Sequence, residues 1–340
     1  MSLLTYLVRR SIYSAVVIFI VANLNFFLFE YLPQAILGLG VEFFIPYHSP
    51  RQAAEGPIIY QAVVQQFGLD QPWPVRYQKY LLNIFTGNFG YGISITSGHR
   101  AVWDIISTYA PNSIVLLGIS TVVSIIVGAL LGVLSAAKRG KFVDVGSLSV
   151  AVFAYSIPVF WIGLIAIYFL AVKNPWFPLS LGTATLGPGS TPLPVGSLAY
   201  ITAYLWAATL PILILTFISY GGFQLIMRNT LYDVLTEDYI TMARAKGLPE
   251  RRVLYKHAFR NALLPLITNI ALAFGFILSG AIITETIFNF TGLGWATLRY
   301  VYALDYPVLQ GLFFLIAVMV VIANFLADIA YGLLDPRVTY

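Results

Sequence analysis

Cysteine is absent from the 340 residues, and histidine occurs only three times. The first absence excludes disulfide staples, thiol nucleophiles and Cys-ligated metals. His48, His99 and His257 lie far apart, and no His-Glu-x-x-His pattern joins them into a metalloprotease helix. No Gly-x-x-x-x-Gly-Lys-Ser/Thr stretch occurs either. The nearest fragment, "KRGKF" at 138–142, lacks the first Gly and the hydroxyl residue, so it forms no phosphate cradle and binds no nucleotide. Charge is scarce: 10% of residues are Asp, Glu, Lys or Arg, where a soluble domain has about a quarter. The chain also has no internal repeat, heptad array or low-complexity tail.

What remains is apolar. Hydrophobic residues make up 59% of the chain, and a helix that spans a bilayer needs about 20 of them in a row. Six segments meet that length, at 11–33, 113–137, 145–172, 198–227, 261–284 and 308–332. The pattern predicts an all-α integral membrane protein with six transmembrane helices. The first apolar run is too long for a cleavable signal and has no small-residue cleavage site after it.

An even number of spans puts both ends on one side. Thirteen Lys and Arg lie in the N-terminus, the 138–144 loop, the 228–260 loop and the C-terminus, against six in the longer loops of the other side. Cations favour the cytoplasmic side of a membrane, so both termini are expected there. The net charge of +5 could point to nucleic acid, but its spread over several loops fits the membrane rule, and no nucleic-acid partner is expected.

Four domain-like parts follow. Residues 1–33 hold the N-terminus and the first span, and residues 34–110 form a small extracellular cap. Residues 111–335 form a five-helix core that includes the 228–260 loop, and residues 336–340 form a tail. Within the cap, "PIIYQAVVQQFGL" and "PVRYQKYLLNIF" have helical apolar spacing behind a Pro start, and "GNFGYGIS" reads as a turn. Residues 173–197, rich in Pro, Gly, Ser and Thr, read as loop. Pro158 and Pro211 fall inside spans and should kink them. The small residues Ser120, Ser124, Gly128 and Gly132, and likewise Ala271, Gly275 and Ser279, recur every fourth position and read as close helix packing. Glu30, Glu285, Asp305 and Asp328 sit near span ends and read as interfacial, solvated carboxylates. Asn289-Phe290-Thr291 matches a glycosylation sequon.

The spans therefore show no proton relay and no selectivity filter, and any uphill transport needs energy from a partner. Attention falls on "MARAKGLPERR" at 242–252, where Arg244, Lys246, Arg251 and Arg252 crowd around Gly247 and Pro249. Gly247 suits a helix end, Pro249 the first turn of a new helix, and Glu250 the positive end of that helix. In the second helix Val253, Leu254, His257, Ala258 and Asn261 share a face, flanked by Arg251, Arg252, Lys256 and Arg260. The expectation is two short helices joined by a Gly-Leu elbow. The alternative is a basic loop that sets topology and touches anionic lipid.

The stretch "EDYITMARAKGLPERRVLYKHAFRNALLP" resembles the cytoplasmic "EAA" loop of ABC importer permeases of the dipeptide/oligopeptide/nickel family. Gly247 falls on the family's Gly, Ala243 on its second Ala, and Leu264-Pro265 on its closing pair, while Thr241 and Met242 replace the first two letters of the general consensus. "FGLDQPWPVRYQKYLLNIFTGNFGYGIS", "SIPVFWIGL", "ETIFNFTGLGWATL", "DYPVLQG" and "LLDPR" resemble further segments of that family in the same order. The "NFTGLG" match makes Asn289 part of a family motif and weakens the sequon reading. The resemblance implies a type I ABC importer permease fold in the cell membrane of a prokaryote. It implies a second homologous permease subunit, two ABC ATPase subunits and an extracellular substrate-binding protein as partners, besides membrane lipid. It also implies that this chain carries no cofactor and no catalytic or metal site, ATP and Mg being held by the ATPases. A coupling helix at 242–258 would dock on them through Ala243, Ala245, Gly247, Leu248, Pro249, Glu250, Arg251, Arg252, Leu254 and His257. Di- or oligopeptides head the implied cargoes, with oligosaccharides, nickel or a stand-alone secondary transporter or channel as the other readings.

Overall fold

A computed structural model describes residues 3–36, 70–187, 190–275 and 281–334, apart from 95, together with 61, 64, 65, 68 and 277. Most of "PIIYQAVVQQFGL", residues 37–56, Ser279 and the 336–340 tail lie outside the described residues. Among the described residues the chain is helical, with no strand beyond two isolated bridges, at Tyr91–Ala101 and Leu186–Pro192.

Helix α1, Leu3–Phe26, runs on as a wider π-helical stretch, Phe27–Ile36. The expected cap helix is present as α2, Trp73–Phe85, behind Pro72. The turn after it contains Gly87 and Gly90 at positive φ. Helix α3, Val102–Ala137, starts a good ten residues before its apolar run, because the polar first turns stay helical against the protein. Next come α4, Phe142–Ser156, and α5, Val159–Ile167, which ends in a π-helical turn, Tyr168–Lys173. The expected single span 145–172 is thus broken. Ile157 and Pro158 both take extended backbone, as a residue before Pro and a Pro at a helix start tend to do, and the two halves meet at 94°. The loop expected at 173–197 carries a single helical turn, α6, Leu181–Ala184, capped by the Ser180 hydroxyl.

Helix α7, Leu198–Leu235, passes through Pro211 as one helix. Then come α8, Asp238–Ala245, and α9, Glu250–Arg252, the latter continuing without a break through a π-helical segment, Val253–Ala258, into α10, Phe259–Gly275. The last elements are α11, Ile282–Ile287, α12, Leu293–Tyr302, and α13, Tyr306–Leu334. Among the described residues four helices are long and apolar enough to cross a membrane alone, and the bent pair α4–α5 brings the number to five when it is counted as one span.

Side-chain pairings fix the directions. Asn112 meets Tyr204, Thr216 meets the Ser120 carbonyl, and Gln224 meets Ser135, so α3 and α7 run parallel. The Gly128–Gly132 row is the seam: a β-carbon at Gly132 would come within 2.6 Å of Met227 Cβ, and one at Gly128 within 2.5 Å of the Tyr220 carbonyl oxygen. Small residues let the two backbones approach that closely. Two adjacent parallel helices require the chain to recross between them, which α4–α5 does. Asn25 meets Gln310 and Tyr6 meets Asp328, so α1 and α13 are antiparallel. The start of α1 and the end of α13 therefore lie together. Val102 and Ile105 of α3 pack with Val308 and Leu309 of α13 at the opposite end. The chain also passes from Ala262, bonded to Thr230 near the end of α7, to Glu285, bonded to Ser113 near the start of α3. Ala262 and Glu285 therefore lie at opposite ends of the α3–α7 pair.

Candidate functional site

The segment between α7 and α10 turns on Gly247. Helix α8 ends with Gly247 at φ +73°, the left-handed region that favours glycine. The Gly247 amide donates to the Arg244 carbonyl at 2.9 Å and the Leu248 amide to the Ala243 carbonyl at 3.4 Å. This pair of bonds closes a Schellman-type helix end. A β-carbon at Gly247 would meet nothing within 4 Å, so the requirement there is conformational and not steric.

Pro249 then takes extended backbone and serves as the N-cap of the next helix, with Glu250 in its first turn. Arg244 Nη2 donates to Glu250 Oε1 at 2.7 Å and Nε to Oε2 at 3.2 Å, bridging the turn from one helix to the other. The Arg244 hydrogen bonds hold the Glu250 carboxyl below the usual carboxylate range and raise the guanidinium's own value.

The second helix differs from expectation. No breaker lies between His257 and Asn261, so it does not stop at 258 but continues into α10. The π-helical stretch also resets the faces. Val253, Ala258, Ala262 and Leu266 point inward, whereas Asn261 is exposed and donates to Tyr239 Oη at 2.7 Å. Leu254 and His257 are half-buried. Ala243 is buried, while Ala245, Gly247, Pro249, Glu250, Arg251 and Arg252 are exposed, and Leu248 is half-buried. The ten predicted residues thus form one elbow with an outward polar face and an inward anchor. The anchor is a cluster in which Ile240, Ala243, Val253, Ala258, Ala262 and Leu266 pack on Val133 and Ala136 of α3 and on Met227 and Leu231 of α7.

A second anchor was not legible from the apolar pattern. Asp144, at the start of α4 and 1% exposed, accepts from Arg228 Nε at 2.6 Å, Arg228 Nη2 at 2.7 Å and the Gly140 amide at 2.9 Å. Just inside it, buried Gln224 donates to Ser135 Oγ at 3.2 Å and Ser147 Oγ at 3.0 Å. Beside them the Arg139 guanidinium lies 3.2 Å from the centre of the Tyr232 ring. These contacts tie α3, α4 and α7 together beside the elbow. The signal was Asp144 alone in a basic loop, with Arg228 the first cation after the 198–227 apolar span.

At the opposite end, three carboxylates expected to be solvated are buried: Glu30 is 3% exposed, and Glu285 and Asp305 are 0%. A buried carboxylate needs donors, and Glu285 and Asp305 each have three. Glu285 accepts from Ser113 Oγ at 2.7 Å and from the Trp295 and Ala281 amides at 2.9 and 3.2 Å. Asp305 accepts from Ser94 Oγ at 2.6 Å and from the Ser94 and Ile93 amides at 2.9 and 3.2 Å. The "ETIFNFTGLGW" and "FGYGIS…ALDYP" motifs are thus loops folded around a carboxylate. Asp328 is half-buried and pairs with Arg10 at 3.0 Å. Among the described residues no group of three or more His, Cys, Asp or Glu could hold a metal ion.

Known proteins resemble this chain over most of its length. Residues 124–340 match the family described as binding-protein-dependent transport system inner membrane component, and residues 3–117 match its N-terminal component. The chain is 33% identical to an oligopeptide transport system permease protein of Bacillus subtilis, over 98% of this chain and 99% of that one. It is 35% identical to a di/tripeptide transport system permease protein of Pseudomonas aeruginosa, over 84% and 86% respectively. A dipeptide transport system permease protein of Escherichia coli is 33% identical over 82% and 84%. With one family match covering well over half its length and these relatives spanning most of the rest, the chain belongs to the inner membrane permease components of binding-protein-dependent ABC transport systems.

Proposed function

We propose that this chain is a permease subunit of an ATP-driven importer of di- and oligopeptides, and that the elbow is where it receives the work of ATP hydrolysis. The observation that carries the reading is the elbow's construction: a polar outer face, shaped by Gly247 and Pro249, on an apolar root packed against α3 and α7. A lever needs both. Exposed Arg251, Arg252 and Glu250 keep the outer face in water and offer charge to a soluble partner. The buried root transmits displacement, because packed interiors move as bodies and do not deform smoothly. A push on the elbow reaches α3 and α7 through Val253 and Ala243, stays shared between them along the Gly128–Gly132 seam, and reaches α4 through Asp144–Arg228.

In this reading two ATPase subunits hold ATP and Mg, and a second, homologous permease completes the pathway. An external binding protein delivers the cargo, and lipid meets the exposed apolar faces. The chain contributes no catalytic or cofactor-binding residue. The elbow, the start of α1 and the end of α13 share one side, and the cation bias supports reading that side as cytoplasmic. Peptide cargo is supported by the peptide-transport names of the relatives. The test is purification in mild detergent from cells that express the whole transport system. An ATPase and a second permease should copurify, and the complex should hydrolyse ATP faster with a peptide-loaded binding protein. A chain that purifies alone and carries solute in vesicles without nucleotide would refute the reading.

A further inference from the structure

Four carboxylates are buried among the described residues, and one of them is poorly served. Asp144, Glu285 and Asp305 each accept three hydrogen bonds, and in each at least one is 2.7 Å or shorter. Glu30 accepts two, from Gln310 Nε2 at 3.2 Å and Arg76 Nη2 at 3.4 Å, both beyond the 2.7–2.9 Å of a good charge-assisted bond. An ionised carboxylate has about four acceptor sites, and burying it without adequate donors is costly. Glu30 is also the only one of the four that lines the cleft between the cap helix and α13.

That cleft has a volume of about 550 Å³, within the range of small-molecule sites. It lies between α1, the cap helix α2 and α13, at the end of the molecule opposite the elbow. Its walls are polar and carry both signs. Glu30 and Arg76 are buried in the wall, Lys79 and His99 are exposed, and Asn83 and Gln310 supply amides. The walls themselves are firm. Tyr80 Oη donates to the Ala22 carbonyl at 3.0 Å and Tyr77 Oη to Asn23 Oδ1 at 2.6 Å, fixing α2 on α1. A buried, under-served acceptor on one wall and a cation on an adjoining turn of α2 suit a ligand that brings an ammonium group and a carboxylate together.

We propose that this cleft binds a small zwitterion, its ammonium group on Glu30 and its carboxylate towards Lys79, with Asn83 and Gln310 as amide partners. Such a ligand would tie the cap helix to the two helices it already touches. The inference does not rest on the importer reading, since it concerns occupancy of a cleft within this chain and is read by binding, not by uptake.

The probe is glycylglycine, with N-acetylglycylglycine and glycylglycinamide as controls lacking one charge each. The full chain, with whatever subunits copurify and no binding protein, is titrated in nanodiscs by calorimetry. Glycylglycine is expected to bind saturably, with each control at least tenfold weaker. Glu30→Gln should erase the preference for glycylglycine over its N-acetyl form. Lys79→Ala should erase the preference over the amide. Asn83→Leu, which fills the cleft without touching the Glu30 pairs, should abolish binding, and it guards against misfolding of the Glu30 variant. Absence of saturable glycylglycine binding to the wild-type chain, or equal binding of all three compounds, would overturn the proposal.

Discussion

At the elbow end of the molecule, the buried carboxylate of Asp144 meets an arginine that belongs to another helix. At the opposite end, Glu285 and Asp305 meet backbone amides and serine hydroxyls. The chemistry is similar but the mechanical consequences differ. A carboxylate that gathers amides fixes the course of the chain: Glu285 holds the turn from Ala281 to Trp295 against Ser113, and Asp305 holds Ile93 and Ser94 against the start of α13. A carboxylate paired with arginine joins two intact helices by their side chains. The first arrangement makes a frame. The second makes a joint between rigid pieces, placed beside the lever that would move them.

The largest expected effect breaks the frame. Glu285→Ala leaves the Ser113 hydroxyl and two amides without their acceptor, and each orphaned buried group costs about 1–3 kcal/mol. The purified variant is expected to show a steep loss of folded yield and of thermal midpoint. Glu285→Gln, which keeps one acceptor oxygen, should lose less.

Breaking the joint should cost less. Asp144→Ala leaves Arg228 without its carboxylate, but the Arg228 side chain is 18% exposed and can reach water. A loss of about 2 kcal/mol is expected, below the figure for a fully buried pair. Asp144→Ala combined with Arg228→Met should recover part of it. Thermal unfolding of the two single variants and the double variant measures the coupling directly, and strictly additive losses would mean that the pair is not a joint.

The smallest effect concerns the ion pair across the elbow. Arg244 depresses the Glu250 carboxyl, so its folded value lies below its unfolded one. The contribution is therefore present above the unfolded value and is lost as pH falls through the depressed one. Both side chains are largely exposed, at 43% and 64%, so about 0.5 kcal/mol is the appropriate scale. Wild type and Glu250→Gln should differ slightly in thermal midpoint near neutral pH and converge in acid below the ordinary carboxylate range. A gap that widens in acid would reverse the sign of this argument.

Much of this was legible in sequence because two signals are local. Apolar run length announced the spans, and Gly247 followed by Pro249 announced the elbow, down to the left-handed turn. The breaking of the third span was legible in Pro158, though not its right-angle extent. The continuation of α9 into α10 was missed because the cations at 251–260 look like a loop, while nothing among them stops a helix. Ordinary helical spacing puts Asn261 on one face with Val253 and Ala258, because it does not foresee the wider turn at Val253–Ala258 that separates them. Glu30, Glu285 and Asp305 were misjudged for a different reason. Their side-chain donors at Arg76, Ser113 and Ser94 are tens to hundreds of positions away, and no local pattern shows where such donors will come from.

The central claim is that the elbow is a lever whose shape depends on Gly247. Gly247→Val places a stiff β-branched residue at φ +73°, at a strain of roughly 1 kcal/mol or more. Because a β-carbon there touches nothing, the spans and their packing should survive. The decisive measurement is the ratio of substrate transported to ATP hydrolysed by the reconstituted complex, with membrane insertion and bound ATPase recorded alongside. The account predicts normal insertion with a collapsed ratio or a lost ATPase. A Gly247→Val complex with normal ATPase binding and a normal ratio would contradict it.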